Sequence, residues 1–483
     1  MILFVLITIP LAAALLSFLT RRERIESTIA LIAAMATLAL SVRAALNVIT
    51  SPGHIVAAIP GWIALDAPGA LILIPVAFVN MTAALFSIGY MKHHNRADLR
   101  RYYLNFNLFV FSMIMVPLVQ EPNIIWIAVE LTTLFSVLLV GFENSHEALE
   151  AAWKYVVLTV MGAAIALLGF LILFWAAQRA GIEHYTWAGL AAGAPRMSPV
   201  LLRTAFALIL LGFGAKAGLV PLHTWLPDAH SQAPTPVCAL LSGVKTTAVL
   251  YAILRLVPIL RNAPGVSPDT WMLVFGLISA GTAAFLLVQV KDYKRLFAFS
   301  TIEHMGIILT AVGLGGVSAS SAAMLQITAH AVTKSFCFYA AGSVLLLTGT
   351  REIAEVRSLI TRAPGAGVAL LFGGLAIAGA PPFAIFMSEF SILKAGLHRG
   401  EYVAVGLLLL FIAVAFFAIM NHVSRMVFGS APTIEGEGER PEPLPLSCRT
   451  TMIFAAVPIL VLGIFIPGPL EKLITLAATT LGG

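Results

Sequence analysis

FALILLGFGAKAGLVPLHTWLPDAH, residues 206–230, decides the fold. The run is apolar on both sides of Lys216, and Gly212, Gly214, Gly218 and Pro221 interrupt it. Proline removes a backbone donor and clashes with the preceding turn. Broken helix at membrane depth is tolerated only against other protein or a wet cavity. An ionised side chain at the bilayer centre costs about 2.5–3.5 kcal/mol on insertion scales. A lysine placed beside a helix break inside an apolar run is therefore there for use, and the usual use is moving ions or protons.

The pattern recurs outward from this stretch. Glu130 lies in IIWIAVELTTLFSVLLV, Lys245 in CALLSGVKTTAVLYAIL, and His330 and Lys334 in LQITAHAVTKSFCFYAAG. Glu389, in PPFAIFMSEFSIL, follows a second break at Gly379, Pro381 and Pro382. The chain is 59% hydrophobic and 11% charged, against about 25% charged for a soluble domain. It is an all-α polytopic membrane protein. Fourteen apolar segments are expected, near 2–19, 27–48, 69–90, 104–120, 122–141, 149–177, 202–229, 233–257, 270–290, 294–314, 318–348, 364–398, 402–428 and 449–469.

The connecting loops alternate in charge. The odd ones carry Arg21, Arg22, Arg24, Lys92, Arg96, Arg100, Arg101, Lys291, Lys294, Arg295, Arg351, Arg357, Arg362, Arg440 and Arg449. The even ones carry few, such as Arg179, Arg196 and Arg261. By the positive-inside rule the odd loops are cytoplasmic and both termini face the other side. This also accounts for the net charge of +6 without nucleic acid. The first apolar run precedes Arg21, Arg22 and Arg24, the reverse of a signal peptide's polarity. Residues 429–447, rich in Pro, Gly and Glu, form a solvated loop. The two breaks fall five segments apart, which points to inverted repeats over segments 4–8 (about 104–257) and 9–13 (about 270–428), within one transmembrane domain spanning 1–483.

The candidate residues follow from depth and spacing. Burial penalises an ammonium, so Lys216 can give up a proton, and Glu130 is its natural ion-pair partner. The plainer alternatives are a snorkelling lysine and a structural hydrogen bond. Lys245, near the middle of a continuous apolar helix, is too deep to snorkel with ease. His330 and Lys334, four apart, share a helical face, and histidine suits a relay. Glu303 and His304 are adjacent, so at most one is expected on the same path, His304 before Glu303. Glu389 fits an exit gate; the alternative is capping of its half-helix, a task open to Ser388 also. Asp228 and His230 are expected as turn and cap residues before any role in proton uptake. Arg255, Lys154 and Lys394 are expected to snorkel. Cys238, Cys337 and Cys448 form no disulfide framework or metal site. No phosphate loop, GxGxxG, CxxC cluster or HExxH occurs.

GAKAGLVPLHTWLPDAHSQAPTPVCALLSGVKTTAVLYAILR, DYKRLFAFSTIEHMG and HAVTKSFCFYAAG resemble signatures of the proton-translocating antiporter-like subunits of respiratory complex I and of Mrp-type cation/proton antiporters. PDAHSQAPTP, EALEAAWKY, IEHMG and APPFAIFMSEF are most similar to that family's hydrogenase 4 and formate hydrogenlyase branch. The resemblance covers about residues 70–428. It implies a fourteen-helix fold, a Glu130–Lys216 pair, and roles for Lys245, His330, Lys334 and Glu389 in one row along the membrane midplane. The expected proton route enters from the cytoplasm near Lys245, passes His304, His330 and Lys334, and leaves through Glu389. The resemblance also implies partner membrane subunits and a peripheral redox module that holds the redox centres, with no cofactor bound by this chain. The ion would be H⁺, or Na⁺, and the site a prokaryotic inner membrane. Some members carry a long lateral helix after the bundle; the sequence shows none after segment fourteen. The rival readings are a Mrp-like antiporter subunit without a redox partner, an idle structural scaffold, a free-standing solute symporter and an unaided quinone reductase.

Overall fold

The computed structural model describes residues 1–20, 25–92, 94–430 and 443–482. Arg21, Arg22, Arg24, Arg440 and most of the 429–447 loop lie outside the described residues. The helices are α1 (Ile2–Leu19), α2 (Ile25–Thr50), α3 (Ala67–Tyr90), α4 (Arg96–Leu118), α5 (Pro122–Val140), α6 (His146–Arg179), α7 (Trp187–Gly193), α8 (Pro199–Ala217), α9 (Trp225–Gln232), α10 (Thr235–Leu240), α11 (Thr246–Leu254), α12 (Val257–Asn262), α13 (Asp269–Leu287), α14 (Tyr293–Gly313), α15 (Gly316–Thr348), α16 (Leu359–Arg362), α17 (Pro364–Ile377), α18 (Ala384–His398), α19 (Tyr402–Phe428), α20 (Leu446–Ile464) and α21 (Gly468–Gly482). A π-helical turn, Leu241–Lys245, joins α10 to α11. Among the described residues, twelve stretches are long and apolar enough to cross a membrane. The chain is an integral membrane protein. Every apolar segment of the sequence falls on helix; the two outside the twelve are α4, with its charged first turns, and the broken pair α17–α18.

Depth in the bundle sorts the helices. The Thr235–Asn262 stretch is wholly buried and α14 nearly so, while α1, α2 and α19 bury a third of their spans. Outer helices of a membrane protein present apolar residues to lipid, so interhelical contact depends on close packing and polar ties. At one such crossing, α6 against α8, a Cβ on Gly162 would meet the Gly212 carbonyl oxygen at 2.6 Å, and one on Gly212 the Gly162 oxygen at 2.3 Å. Only glycine permits that approach.

The two breaks are built alike. After Ala217, Gly218 takes φ 84° and the Leu219 amide reaches back to the Gly214 carbonyl at 2.8 Å. After Ile377, Gly379 takes φ 77° and the Ala380 amide reaches the Leu375 carbonyl at 3.0 Å. This is the glycine-terminated stop of a helix, followed in both cases by a proline that cannot continue it. The half-helices α9 and α18 resume beyond.

Several elements are absent from the sequence reading, among them the short helices α7 and α16. Strands β1 (Ile55–Ile59) and β2 (Ile63–Asp66) form an antiparallel hairpin in what reads as a plain loop. The helix α21 follows α20 and packs on α3 and α15. The π turn interrupts the helix expected to be continuous around Lys245.

Contacts tie each end of the bundle. On the hairpin face, Trp62 accepts from the Gln120 amide at 3.0 Å, Gln120 accepts from the Trp187 amide at 3.1 Å, and Arg261 pairs with Asp269 at 2.7 Å while donating to the Leu481 carbonyl at 2.6 Å. On the opposite, basic face, Lys154 contacts Glu150 (2.7 Å) and Asp228 (3.1 Å), and Arg295 reaches Asp228 at 2.7 Å. An open cavity of about 730 Å³ on this face is lined by Gln232, Lys291, Asp292, Arg295 and Arg351 among others.

Candidate functional site

The site starts at α5, which places Glu130 and Thr133 on one helical face. The last turn of α8 presents Lys216 to both. Its Nζ lies 2.7 Å from Glu130 Oε1 and donates to Thr133 Oγ1 at 2.8 Å. Lys216 is fully buried, whereas the Glu130 side chain keeps 23% exposure. Glu130 Oε1 receives no aligned hydrogen bond, so charge and the threonine hold the pair.

The break supplies the next contact. The Val220 amide would bond the Lys216 carbonyl in a continuing helix; instead it donates to Ser279 Oγ at 3.1 Å. The freed Lys216 carbonyl accepts from Lys245 Nζ at 3.0 Å. The Lys245 ammonium lies 4.5 Å from the Trp225 ring centroid and 5.1 Å from that of Tyr155. Cation–π attraction thus takes the place of a counter-ion. Trp225 is held by its Nε1 donating to the Ala215 carbonyl, and Tyr155 by Ser136.

The π turn works the same way. The Thr246 amide bonds to Leu241, five residues back, so the Ser242 carbonyl loses its helical donor. It accepts instead from Thr246 Oγ1 at 2.8 Å and from His330 Nε2 at 3.1 Å. Ser242 Oγ also bonds Thr301 of α14 at 2.6 Å. The rings of His330 and His304 stand 5.3 Å apart. His304 Nε2 donates to the Ile377 carbonyl at 3.2 Å, an oxygen orphaned because Pro381 has no amide hydrogen. His304 Nδ1 accepts from Gln326 Nε2 at 2.8 Å, and Gln326 Oε1 accepts from the Ser388 hydroxyl. Each helix break thus frees one carbonyl, and a buried basic side chain takes it.

The remaining candidates fall beside this line. Lys334 Nζ donates to the Phe297 carbonyl at 2.7 Å and to Ser300, one turn nearer the basic face than His330. Though His330 and Lys334 share a face, they engage different elements, His330 the π turn and Lys334 α14. The Glu389 carboxyl lies against the second break: a Cβ on Gly379 would meet its Oε2 at 2.4 Å. Neither Glu389 nor Ser388 caps α18. Glu303 lies within electrostatic range of both Glu389 and Lys334, so Glu389 does have an acidic neighbour. His304 and Glu303 both turn inward, to different partners.

Two lesser candidates change character. Asp228 is inside α9 and ion-paired, not a turn or cap residue. His230 is fully buried, with Nδ1 donating to the Leu226 carbonyl at 2.7 Å, Nε2 unpartnered, and Lys245, Lys334 and Lys294 in electrostatic range. Arg255 does not snorkel. It is buried, paired with Asp66, and packed against the rings of Trp187 and Tyr251. Lys154 is held at the basic edge by two carboxylates. Gln326, Ser242 and Thr133 escaped sequence reading, and Ser388 entered it only as a cap, because uncharged polar residues are common in helices and nothing local marks their partners. Among the described residues, no group of three His, Cys, Asp or Glu could hold a metal ion.

Residues 123–416 match the family described as NADH:quinone oxidoreductase/Mrp antiporter, transmembrane region. The chain belongs to this NADH:quinone oxidoreductase/Mrp antiporter family. It is 36% identical over 400 residues to a hydrogenase-4 component F homolog of Methylacidiphilum infernorum, covering 81% of this chain and 82% of the relative. Among solved structures, a chain of the membrane-bound sulfane sulfur reductase, an archaeal respiratory membrane complex, superposes with TM-score 0.88 at 25% identity, over 99% of this chain and 97% of that one. A chain of the Mrp complex from Dietzia sp. DQ12-45-1b gives 0.87 at 20% identity, over 99% and 97%. Within the antiporter family, then, the likeness reaches end to end of this bundle, and the residues from Glu130 to Ser388 lie wholly inside the matched region.

Proposed function

We propose that this chain is the proton-moving, antiporter-like membrane subunit of a respiratory-type oxidoreductase complex of the hydrogenase 4 and complex I kind. One observation carries the reading: buried polar side chains line up across both helix breaks, with Glu130, Lys216 and Lys245 in contact on one side, Ser242 and His330 meeting at the π turn that also holds Lys245, and the facing His330 and His304 rings leading to Gln326 and Ser388. Buried ionisable groups are costly in a bilayer and mark ion or proton routes. The 36% identity to a hydrogenase-4 component F homolog supports the kind of complex.

The finer architecture is fourteen crossings in one transmembrane domain, 1–483, with inverted repeats near 104–257 and 270–428. The matched glycine stops at Gly218 and Gly379 support the repeats. The chain sits in a prokaryotic inner membrane, basic face to the cytoplasm, termini on the other side. Protons enter near Lys245, His230 and the basic-face cavity, pass His330 and His304, and leave near Glu389. Lys334 and Glu303 tune the charge beside the line; Asp228 stays at the inlet. Opening of the Glu130–Lys216 pair pushes the proton onward from Lys216. The chain binds no cofactor; a peripheral redox module in partner subunits supplies the energy.

A sodium/proton antiporter subunit without a redox partner is the second reading, favoured by the fold likeness to the Mrp complex. The two separate on purification through a tag on this chain. The complex is expected to bring subunits with flavin or iron–sulfur absorption and, in liposomes, to move protons without sodium. Colourless partners and sodium-dependent proton movement would replace the first reading by the second.

A further inference from the structure

His304, Gln326 and Ser388 are buried, and their hydrogen bonds leave little freedom. His304 Nε2 faces only a carbonyl oxygen, that of Ile377, so this nitrogen carries its hydrogen whether the ring is neutral or charged. A proton can therefore come and go only at Nδ1. That nitrogen is met by the Gln326 amide, which now shows it an N–H. If Nδ1 gains a proton, two donors face each other in a dry site, the arrangement burial penalises most. The carboxamide resolves the conflict by a half turn about its terminal bond, because it carries a donor on one side and an acceptor on the other.

The half turn has a second consequence. Gln326 Oε1, which accepts from the Ser388 hydroxyl, leaves it, and the NH₂ takes its place. Ser388 must then accept, and its own hydrogen finds the Ile385 carbonyl at 2.9 Å or that of Ala384 at 3.2 Å. In both arrangements the His304–Gln326 and Gln326–Ser388 contacts each set one donor against one acceptor, so the site has two states. Ser388 is the residue before Glu389, on the half-helix beyond the second break. His304 already holds the near side of that break through Ile377. The trio thus spans the break.

We propose that Gln326 is a two-way amide switch that reads the protonation of His304 and sets the donor or acceptor state of Ser388 on the half-helix bearing Glu389. It is a positioning residue, and no proton passes through it. An N–H bond breaks at protonated His330 Nδ1, the ring nitrogen without a partner, as one forms at His304 Nδ1, and that bond breaks in turn on release; the amide keeps both its hydrogens throughout. The link from His304 to the exit is a signal, and the proton itself travels beside it. This deepens the proton-translocating reading and rests on it.

The test uses the complex purified through a tag on this chain, in liposomes under a valinomycin-set potassium diffusion potential, with internal pyranine recording proton flux. Gln326→Leu is expected to lower the flux about tenfold or more, and Ser388→Ala to lower it also, with no further loss when the two are combined, as for residues acting as one unit. Gln326→Glu keeps the size but holds His304 charged; it should move the flux-versus-pH curve upward by about one unit or more. The other groups facing His304 are His330 and Lys334 from α15, Glu303 on α14 and, through it, Glu389 on α18, and they are unchanged in that variant. Wild-type flux in Gln326→Leu, losses that multiply, or an unmoved pH curve in Gln326→Glu would overturn the switch. If Gln326→Leu does not assemble, the Gln326→Glu curve decides alone. Lys216→Ala separates the levels: if it too conducts like wild type, the translocation reading falls; if it is silent while Gln326→Leu conducts, only the switch falls.

Discussion

Lys216→Ala should cut proton flux through the reconstituted complex on the order of a hundredfold, the loss typical of a missing proton-transfer group, with assembly retained. The substitution removes the ammonium that meets Glu130 and Thr133, but it keeps the backbone carbonyl on which Lys245 rests. Lys245 should therefore stay in place over Trp225 and Tyr155, and the stop at Gly218 should form as before. Glu130→Gln is the companion variant. It leaves a buried ammonium with a neutral partner, so the pair can no longer exchange charge, and flux should fall as well. The double variant should be no worse than Lys216→Ala, since both changes strike one unit. Flux measured in liposomes against the amount of assembled complex checks all three.

Arg255→Leu should destabilise the hairpin face by about 3–5 kcal/mol, the cost of breaking a buried ion pair by removing one partner. Asp66 does two jobs there: it pairs with Arg255 and caps α3 by accepting from the Gly69 amide at 3.0 Å. Without Arg255 its carboxylate keeps no counter-charge. Arg255→Lys should recover little, because a lysine loses the planar fork and the stacking between the rings. Asp66→Asn, which keeps a capping oxygen, should cost less in α3 yet strand the arginine. Thermal unfolding of the detergent-purified complex, followed by protease cleavage within residues 51–66, would register the loss.

The contrast between these two sites shows what a sequence can reveal of such a protein. Lys216 announced itself because a charge in an apolar run is conspicuous and the Gly218–Pro221 break sits beside it. The same holds for Glu130, Lys245, His330, Lys334 and Glu389. Arg255 gave a false signal. It ends an apolar run, as snorkelling residues do, and its partner Asp66 is 189 residues away. The hairpin that brings Asp66 there has nine residues in strands and little pattern of its own. Gln326 and Ser388, 62 residues apart, were silent for a related reason. Uncharged side chains carry no burial cost large enough to single them out, and their meaning lies wholly in the partner. The π turn at Lys245 has no local signature either, since the residues around it suit an ordinary helix. Charge and breakage are thus legible in one dimension, while the order of contacts is not. That is why the contacts of His304 with Gln326 and of Gln326 with Ser388 could be seen only in the folded chain.

The proposal that the buried row carries protons is tested most directly by proton flux in Glu389→Gln. The substitution keeps the size of the side chain that packs against Gly379 and removes only the ability to hold and release a proton. In liposomes holding the assembled complex, pyranine should report flux reduced at least about tenfold, with subunit content and electron transfer in solution unchanged. Wild-type flux from fully assembled Glu389→Gln complex would contradict the account.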